Sequence, residues 1–308
     1  MTRSLSRRRF LTIAACAGLA GSSSGYAATE RLTWQGIALG ADVSITLVGP
    51  ESITRPALAR ARLEIEAYEQ RFSLFRPDSE LVRLNADGML RDLDPRWQSL
   101  LAACDRLHKI TGGVFDPTIQ PLWQAHARGT DIAEARARVG WERIALPGPG
   151  LRGIRLDKGQ ALSFNGIAQG AATDAVRDVL RMAGMTQVLI DIGETHCIGG
   201  PWHVALADPE AGQFAQVTLE DRAVAVSSPG ALRISADATH ILHPHAAAPP
   251  IWSSTAVIGR DAALADGLST AACFLTPEDL RASIAALPEV ETVMVLDPQG
   301  KTRSLFAR

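Results

Sequence analysis

Side chains able to do chemistry are concentrated in four short stretches. In 239–244 (THILHP), His240 and His243 stand three residues apart. An imidazole titrates near neutral pH, so either histidine could act as a general base or be a satisfied structural group. Positions i and i+3 fall on opposite faces of a strand, which disfavours a metal shared by the two. In 265–270 (ADGLST), Asp266, Ser269 and Thr270 occupy i, i+3 and i+4, bringing three oxygens to one side of a helix. Such hard ligands suit Mg²⁺ held by one carboxylate and a phosphate. An acid near a helix start, with hydroxyls bonding back to the backbone, has the same spacing without a metal.

The stretch 163–170 (SFNGIAQG) runs from a short strand into a helix start. Small residues let a ligand approach the backbone, and the free N–H groups and positive dipole of a helix start favour a pyrophosphate. It lacks the GxGxxG fingerprint, and packing glycines at an ordinary strand-to-helix turn would read alike. In 72–80 (FSLFRPDSE), Phe72, Leu74 and Phe75 supply apolar area for a core or for stacking on a planar ring, and Asp78 or Ser79 can cap a short helix at 79–85.

These stretches need elements to hold them. Residues 32–48 read as two strands around Gly40, with Val43, Ile45 and Leu47 alternating. Helices are expected from about Pro56, from Pro95 to the Gly112-Gly113 pair, and over 168–181 with Gly184 beyond its end. Residues 145–164 are turn-rich, 187–192 reads as a buried strand, and 202–258 as four or five strands with a Pro/Ala loop at 244–250. Helices at 262–274 and 277–287 and a closing strand at 291–296 complete the chain. This irregular alternation predicts an α+β fold, and no linker is long or polar enough to mark a boundary.

The length of 308 residues fits one large domain or two closely packed parts. The start, with Arg7, Arg8 and Arg9 ahead of a short apolar run and small residues to Ala28, has the form of a twin-arginine signal peptide over 1–28. A periplasmic location follows for the mature part, 29–308, with lipoprotein anchoring at Cys16 as the alternative. Loss of 1–28 removes four arginines and no acid, taking the formal charge from −2 to −6. With only Lys109, Lys158 and Lys301 as lysines, nucleic acid is disfavoured as a partner. No later apolar run approaches the roughly 18 residues of a membrane span. Cys104, Cys197 and Cys273 are odd in number and lack CxxC spacing, which argues against a disulfide framework or a zinc site.

Taken in order, FSLFRPDSELVRLN (72–85), TGGVFDPTIQPLW (111–123), NGIAQGAATD (165–174), AVAVSS (223–228), HILHP (240–244) and ADGLSTAACFL (265–275) resemble the ApbE family of FAD:protein FMN transferases. The resemblance spans about 34–297. It implies a single large domain of two packed subdomains with a flavin cleft between them, Mg²⁺ on the pyrophosphate, and transfer of FMN from FAD to a Thr or Ser of a partner with release of AMP. By the same resemblance Phe75 sits beside the flavin ring, Val114, Phe115 and Asp116 form a flavin-binding turn, and Val43, Ser163, Gln169 and Leu242 touch the cofactor. Gly166, through its carbonyl, and Asp266, Ser269 and Thr270 would hold the metal, and His240 would be the base.

Four positions depart from the family pattern: Ser163 for Asp, Gln169 for Lys or Glu, Glu194 for a second Gly, and His243 for Asp. The leader and Glu194 resemble the branch associated with nitrous oxide reductase maturation, whose acceptor is a membrane-bound electron-transfer protein. A flavin carrier that binds FAD without transfer, and an FAD pyrophosphatase using water, are the rival functions.

Overall fold

A computed structural model describes residues 30–148 and 151–307, so the leader expected at 1–28, with Cys16, lies outside the described residues. Strands β1 (Glu30–Ala38) and β2 (Ala41–Gly49) pair around Leu39 and Gly40, both at positive φ. The chain then leaves the sheet for α1 (Glu51–Phe72), α2 (Glu80–Asp87), β3 (Met89–Arg91), α3 (Pro95–Ile110), a 3-10 turn (Pro117–Ile119), α4 (Gln120–Arg128), α5 (Ile132–Ala137), β4 (Gly153–Arg155) and α6 (Ala168–Met182). It returns through β5 (Val188–Asp191), β6 (Thr195–Ile198), β7 (Trp202–Asp208), β8 (Gly212–Leu219), β9 (Ala223–Ser227) and β10 (Ser254–Gly259). Helices α7 (Ala262–Ala272) and α8 (Pro277–Ala285) and strands β11 (Val290–Leu296) and β12 (Thr302–Ala307) follow.

Eight strands form one sheet in the order β1-β2-β5-β6-β9-β10-β11-β12, every neighbouring pair antiparallel. An all-antiparallel sheet with helices gathered on one face is the α+β arrangement expected from the sequence. Strand alternation separates the two faces. Ile45, Leu47, Ile190, Ala225, Val257 and Val293 point into the main core beneath α1, α6 and α7. Leu189, Cys197, Val224 and Ala256 point the other way, onto the β7–β8 hairpin. Full burial of a side chain such as Ile45 or Leu47 contributes about 1.5–3 kcal/mol relative to exposure. Helices α4 and α5 form a smaller unit with its own apolar cluster of Leu122, Ala125, Ala135 and Val139.

Several boundaries differ from expectation. Helix α1 begins at Glu51, with Pro50 as its N-cap, so Pro56 lies inside it. The carbonyl that Pro56 cannot bond belongs to Ser52 in the exposed first turn, open to solvent. Strand β11 is not the last, because β12 pairs beyond it, and α4, α5 and β6 had no counterpart in the expected elements. Residues 240–244 belong to a loop rather than a strand.

Candidate active site

The entry to α6 is fixed by alternation. Phe164 and Ile167 are fully buried, and the Phe164 ring meets Phe72 and Trp97 edge-on at 5.8 and 5.7 Å. With these two anchored, Ser163, Asn165 and Gly166 line a cleft. It opens where the main body meets the α4–α5 unit. Leu39 and Gly40 from the β1–β2 turn, Val114–Pro117, Ile119 and Trp123 form part of its wall, to which Glu194, Val226–Ser228, His240–Leu242, Asp266 and Thr270 also belong.

Asp266 is 2% exposed, and its Oδ2 accepts a hydrogen bond from the Gly170 N–H at 3.0 Å. It therefore caps the start of α6 from the neighbouring helix, which matters because the α6 N-cap, Ile167, has no side-chain acceptor. Asp261, rather than Asp266, caps α7 itself through the Leu264 N–H. Thr270 lies against Gly166 so closely that a Cβ there would stand 2.8 Å from Thr270 Oγ1. A Cβ at Gly170 would stand 2.3 Å from the Ala262 carbonyl oxygen, so glycine is what lets α6 and α7 meet.

Ser269 does not share this position. It is 0% exposed and absent from the cleft wall; its hydroxyl donates to the Asp266 carbonyl at 2.9 Å and lies 2.8 Å from Ser227 Oγ. The hydroxyl-to-backbone reading applies to this residue, and Gly166, Asp266 and Thr270 remain as the candidate metal ligands.

His240 is held at the cleft wall by the Leu232 carbonyl, which accepts from its backbone N–H at 2.9 Å and from Nδ1 at 3.2 Å. A carbonyl can only accept, so the proton sits on Nδ1 and Nε2 is the basic nitrogen. His243 has a different task. Its Nδ1 accepts from the N–H groups of His245 (3.2 Å) and Ala246 (3.1 Å), closing a tight turn as an Asp carboxylate would. Burial first, and then the His245 and Arg136 charges, hold its pKa below the ordinary 6.5, keeping that nitrogen an acceptor.

The other expected contacts divide. Val114, Phe115, Asp116, Ser163, Gln169 and Leu242 all line the cleft. The Asp116 carboxylate is turned inward, accepting from the Thr118 N–H (2.8 Å) and the Trp141 N–H (3.2 Å), so it shapes the turn. Gln169 packs over Gly193, and its amide reaches the Leu39 carbonyl at 3.5 Å. Phe75, 47% exposed, is not in the wall but lies against Gly40, which is. Val43 is in neither place: at 2% exposure it belongs to the main core, because alternation along β2 aims it under α1 with Ile45. Asn165, Trp123, Ser228 and Ile241 also line the cleft. No role was drawn for them from the sequence, although Trp123, Asn165, Ser228 and Ile241 fall inside the motif blocks.

With the Asp116 carboxylate turned inward, the acids left to the cleft wall are Glu194 and Asp266, and among the described residues the wall holds neither Lys nor Arg. A diphosphate placed there needs a cation from elsewhere. Oxygens of Gly166, Asp266 and Thr270 suit Mg²⁺, which takes one or two protein carboxylates and completes its shell with phosphate and water. Among the described residues no group of three His, Cys, Asp or Glu side chains could hold a metal. Behind the cleft, Asp174 joins α6 to α7, accepting from the Ala263 N–H at 2.9 Å and pairing with Arg177 at 2.6 Å. Arg177 Nη1 in turn lies 3.2 Å from Nε2 of His196, whose pKa is pushed down to about 4 by burial first and the Arg177 charge second.

An antiparallel sheet whose helices and loops meet at a cleft holding Asp266, Thr270 and His240 defines an α+β domain with a candidate metal site. The family model of the ApbE family matches residues 39–294, and the chain belongs to that family. It is 23% identical over 87% of its length to a Vibrio cholerae protein named FAD:protein FMN transferase, covering 88% of that protein. A Haemophilus influenzae protein of the same name is 24% identical, with 87% of both chains covered. In fold it is similar to the ApbE protein from Thermotoga maritima, with a TM-score of 0.79 at 21% identity, over 91% of this chain and 100% of that one.

Proposed function

We propose that this chain transfers the FMN part of FAD to a Thr or Ser hydroxyl of a partner protein, with Mg²⁺, releasing AMP. The observation that carries the proposal is the meeting, in one cleft with no Lys or Arg among the described residues, of His240 in its Nε2-basic form with the Gly166, Asp266 and Thr270 oxygens. The curated relatives' name supports the same chemistry.

In this reading the acceptor oxygen attacks the FMN phosphorus of FAD. The new P–O bond forms as the bond to AMP breaks. His240 Nε2 takes the hydroxyl proton, and AMP leaves as the phosphate anion. Mg²⁺ would neutralise diphosphate charge. The Gly166 backbone and the α6 start hold the diphosphate, and Val114, Phe115 and Leu242 supply apolar wall for the ring. Export to the periplasm is inferred from residues 1–28 alone, and a membrane-bound acceptor from the resemblance in Glu194 and the leader. Among the described residues no helix is long and apolar enough to cross a membrane.

The test is incubation of the purified protein with FAD, Mg²⁺ and an unflavinylated acceptor flavoprotein, followed by denaturing gel electrophoresis. Fluorescent flavin on the acceptor that disappears with EDTA is the expected result. FAD held by the protein with no labelled acceptor would make it a carrier instead.

A further inference from the structure

Arg136 on α5 lies outside the cleft wall, yet it is tied to the segment that carries His240. Its Nη1 donates towards three backbone carbonyls in one turn: His243 at 2.8 Å, Pro244 at 3.0 Å and Ala246 at 3.0 Å. The same turn is closed from within by His243 Nδ1. Just upstream, Leu242 packs on the α4–α5 apolar cluster with Ile119 and Ile132. At the other end the backbone and ring of His240 are held by the Leu232 carbonyl.

The segment 240–246 is thus fixed at both ends, at one by the main body and at the other by α5. Carbonyl groups of an irregular loop have no ladder to join, and a cation gathering three of them fixes the loop without using a carboxylate. The Arg136 guanidinium is half-buried and within salt-bridge distance of no carboxylate among the described residues, and it donates to the carbonyls of this turn. Burial lowers its pKa, as expected of a cation partnered by dipoles rather than by an anion.

We propose that Arg136 is a positioning residue for transfer: by holding the 243–246 turn on α5 it sets where His240 stands in the cleft, while Leu242 is held separately by Ile119 and Ile132. The inference rests on the reading of His240 as the base. Displacing a catalytic group by a fraction of its working distance costs rate while leaving ground-state binding nearly intact. Arg136 should therefore act on transfer through His240 and hardly on FAD affinity.

The experiment is a double-mutant cycle on the full chain with Arg136→Ala, His240→Ala and both together, with Arg136→Lys and Arg136→Gln as variants that keep a donor. FAD affinity is read by calorimetry, transfer rate at saturating FAD by acceptor fluorescence, and folding by circular dichroism. Arg136→Ala should keep FAD affinity within about twofold and lose transfer on the order of 10- to 100-fold. Arg136→Lys should recover part of the loss. The double variant should be no slower than His240→Ala, because the two act as one unit.

Transfer at the wild-type rate in folded Arg136→Ala overturns the proposal. So does a double variant slower than His240→Ala by the full Arg136 factor, or a loss of FAD affinity matching the loss of rate. If Arg136→Ala does not fold, Arg136→Gln is judged by the same criteria. His240→Ala at the wild-type rate would instead remove the base assignment, an outcome read from the single variant alone.

Discussion

At the scale of single residues, Asp266 carries two duties that can be separated. Its Oδ2 caps α6 through the Gly170 N–H, and the same carboxylate is the only acid among Gly166, Asp266 and Thr270. Asp266→Asn keeps an oxygen for the cap but removes the charge. We expect it to raise the Mg²⁺ concentration needed for half-maximal transfer at least tenfold with little change in thermal stability, whereas Asp266→Ala should also lose about 1 kcal/mol of stability. A Mg²⁺ dependence unchanged in Asp266→Asn would leave only the cap. The two histidines separate in the same way. His240→Ala should bind FAD almost normally and lose transfer by a factor on the order of 10² to 10⁴, the usual range for a general base. His243→Asp, which keeps an acceptor for the turn's two N–H groups, should lose no more than a few-fold, and equal losses in steady-state assays would contradict the assignment. The spacing of Asp266, Ser269 and Thr270 could not tell which hydroxyl faces the cleft, because adjacent helical positions point about 100° apart. Burial against β9 turned Ser269 inward and left Thr270 at the cleft.

At the scale of elements, the cleft depends on α6 and α7 meeting at a fixed height. That contact has a polar clamp in Asp174, Arg177 and His196, and a close approach at Gly170. His196 is buried and neutral, with its pKa lowered from 6.5 to about 4. The unfolded chain therefore binds the extra proton between these values. The stability His196 contributes is complete above about pH 6.5 and is lost as pH falls towards 4, up to about 3 kcal/mol. Asp191, raised to about 7 by burial, acts in the opposite sense over nearly the same window, so the whole-protein curve conceals the effect. Comparing urea unfolding of the wild type with His196→Gln isolates it. The difference in stability should grow in favour of the wild type from pH 4 to 6.5, and a constant difference would show that His196 does not titrate in the clamp. Elements with strong end signals were legible in the sequence: of Asp78 and Ser79 it is Ser79 that caps α2, α3 begins at Pro95, and α6 and α7 begin within the expected segments. Helix α5 was not, since six residues carry under two turns of periodicity, and β12 was not, since Arg303 and Ser304 interrupt any apolar alternation. The loop holding His240 has no periodicity to read. Its geometry comes from Leu232, in the same irregular stretch, and from Arg136, far away in sequence.

At the scale of the whole molecule, one antiparallel sheet supports a helix layer and a small α4–α5 unit, and the cleft between body and unit collects residues from positions 39 to 270. That breadth explains why no single motif identified the site, while their order along the chain did. The diphosphate and adenosine are what the α6 start and the Gly166–Thr270 contact would hold. FAD should therefore bind more tightly than FMN in calorimetry, and equal affinities would contradict that placement. The central claim is that the flavin phosphate moves from AMP to a protein hydroxyl within this cleft. Its most direct test is the stoichiometry of the reaction, with the intact mass of the acceptor and the released AMP measured in the same sample. The account predicts one AMP per acceptor, with the acceptor heavier by one FMN less one water. AMP released with free FMN and an acceptor of unchanged mass would contradict it.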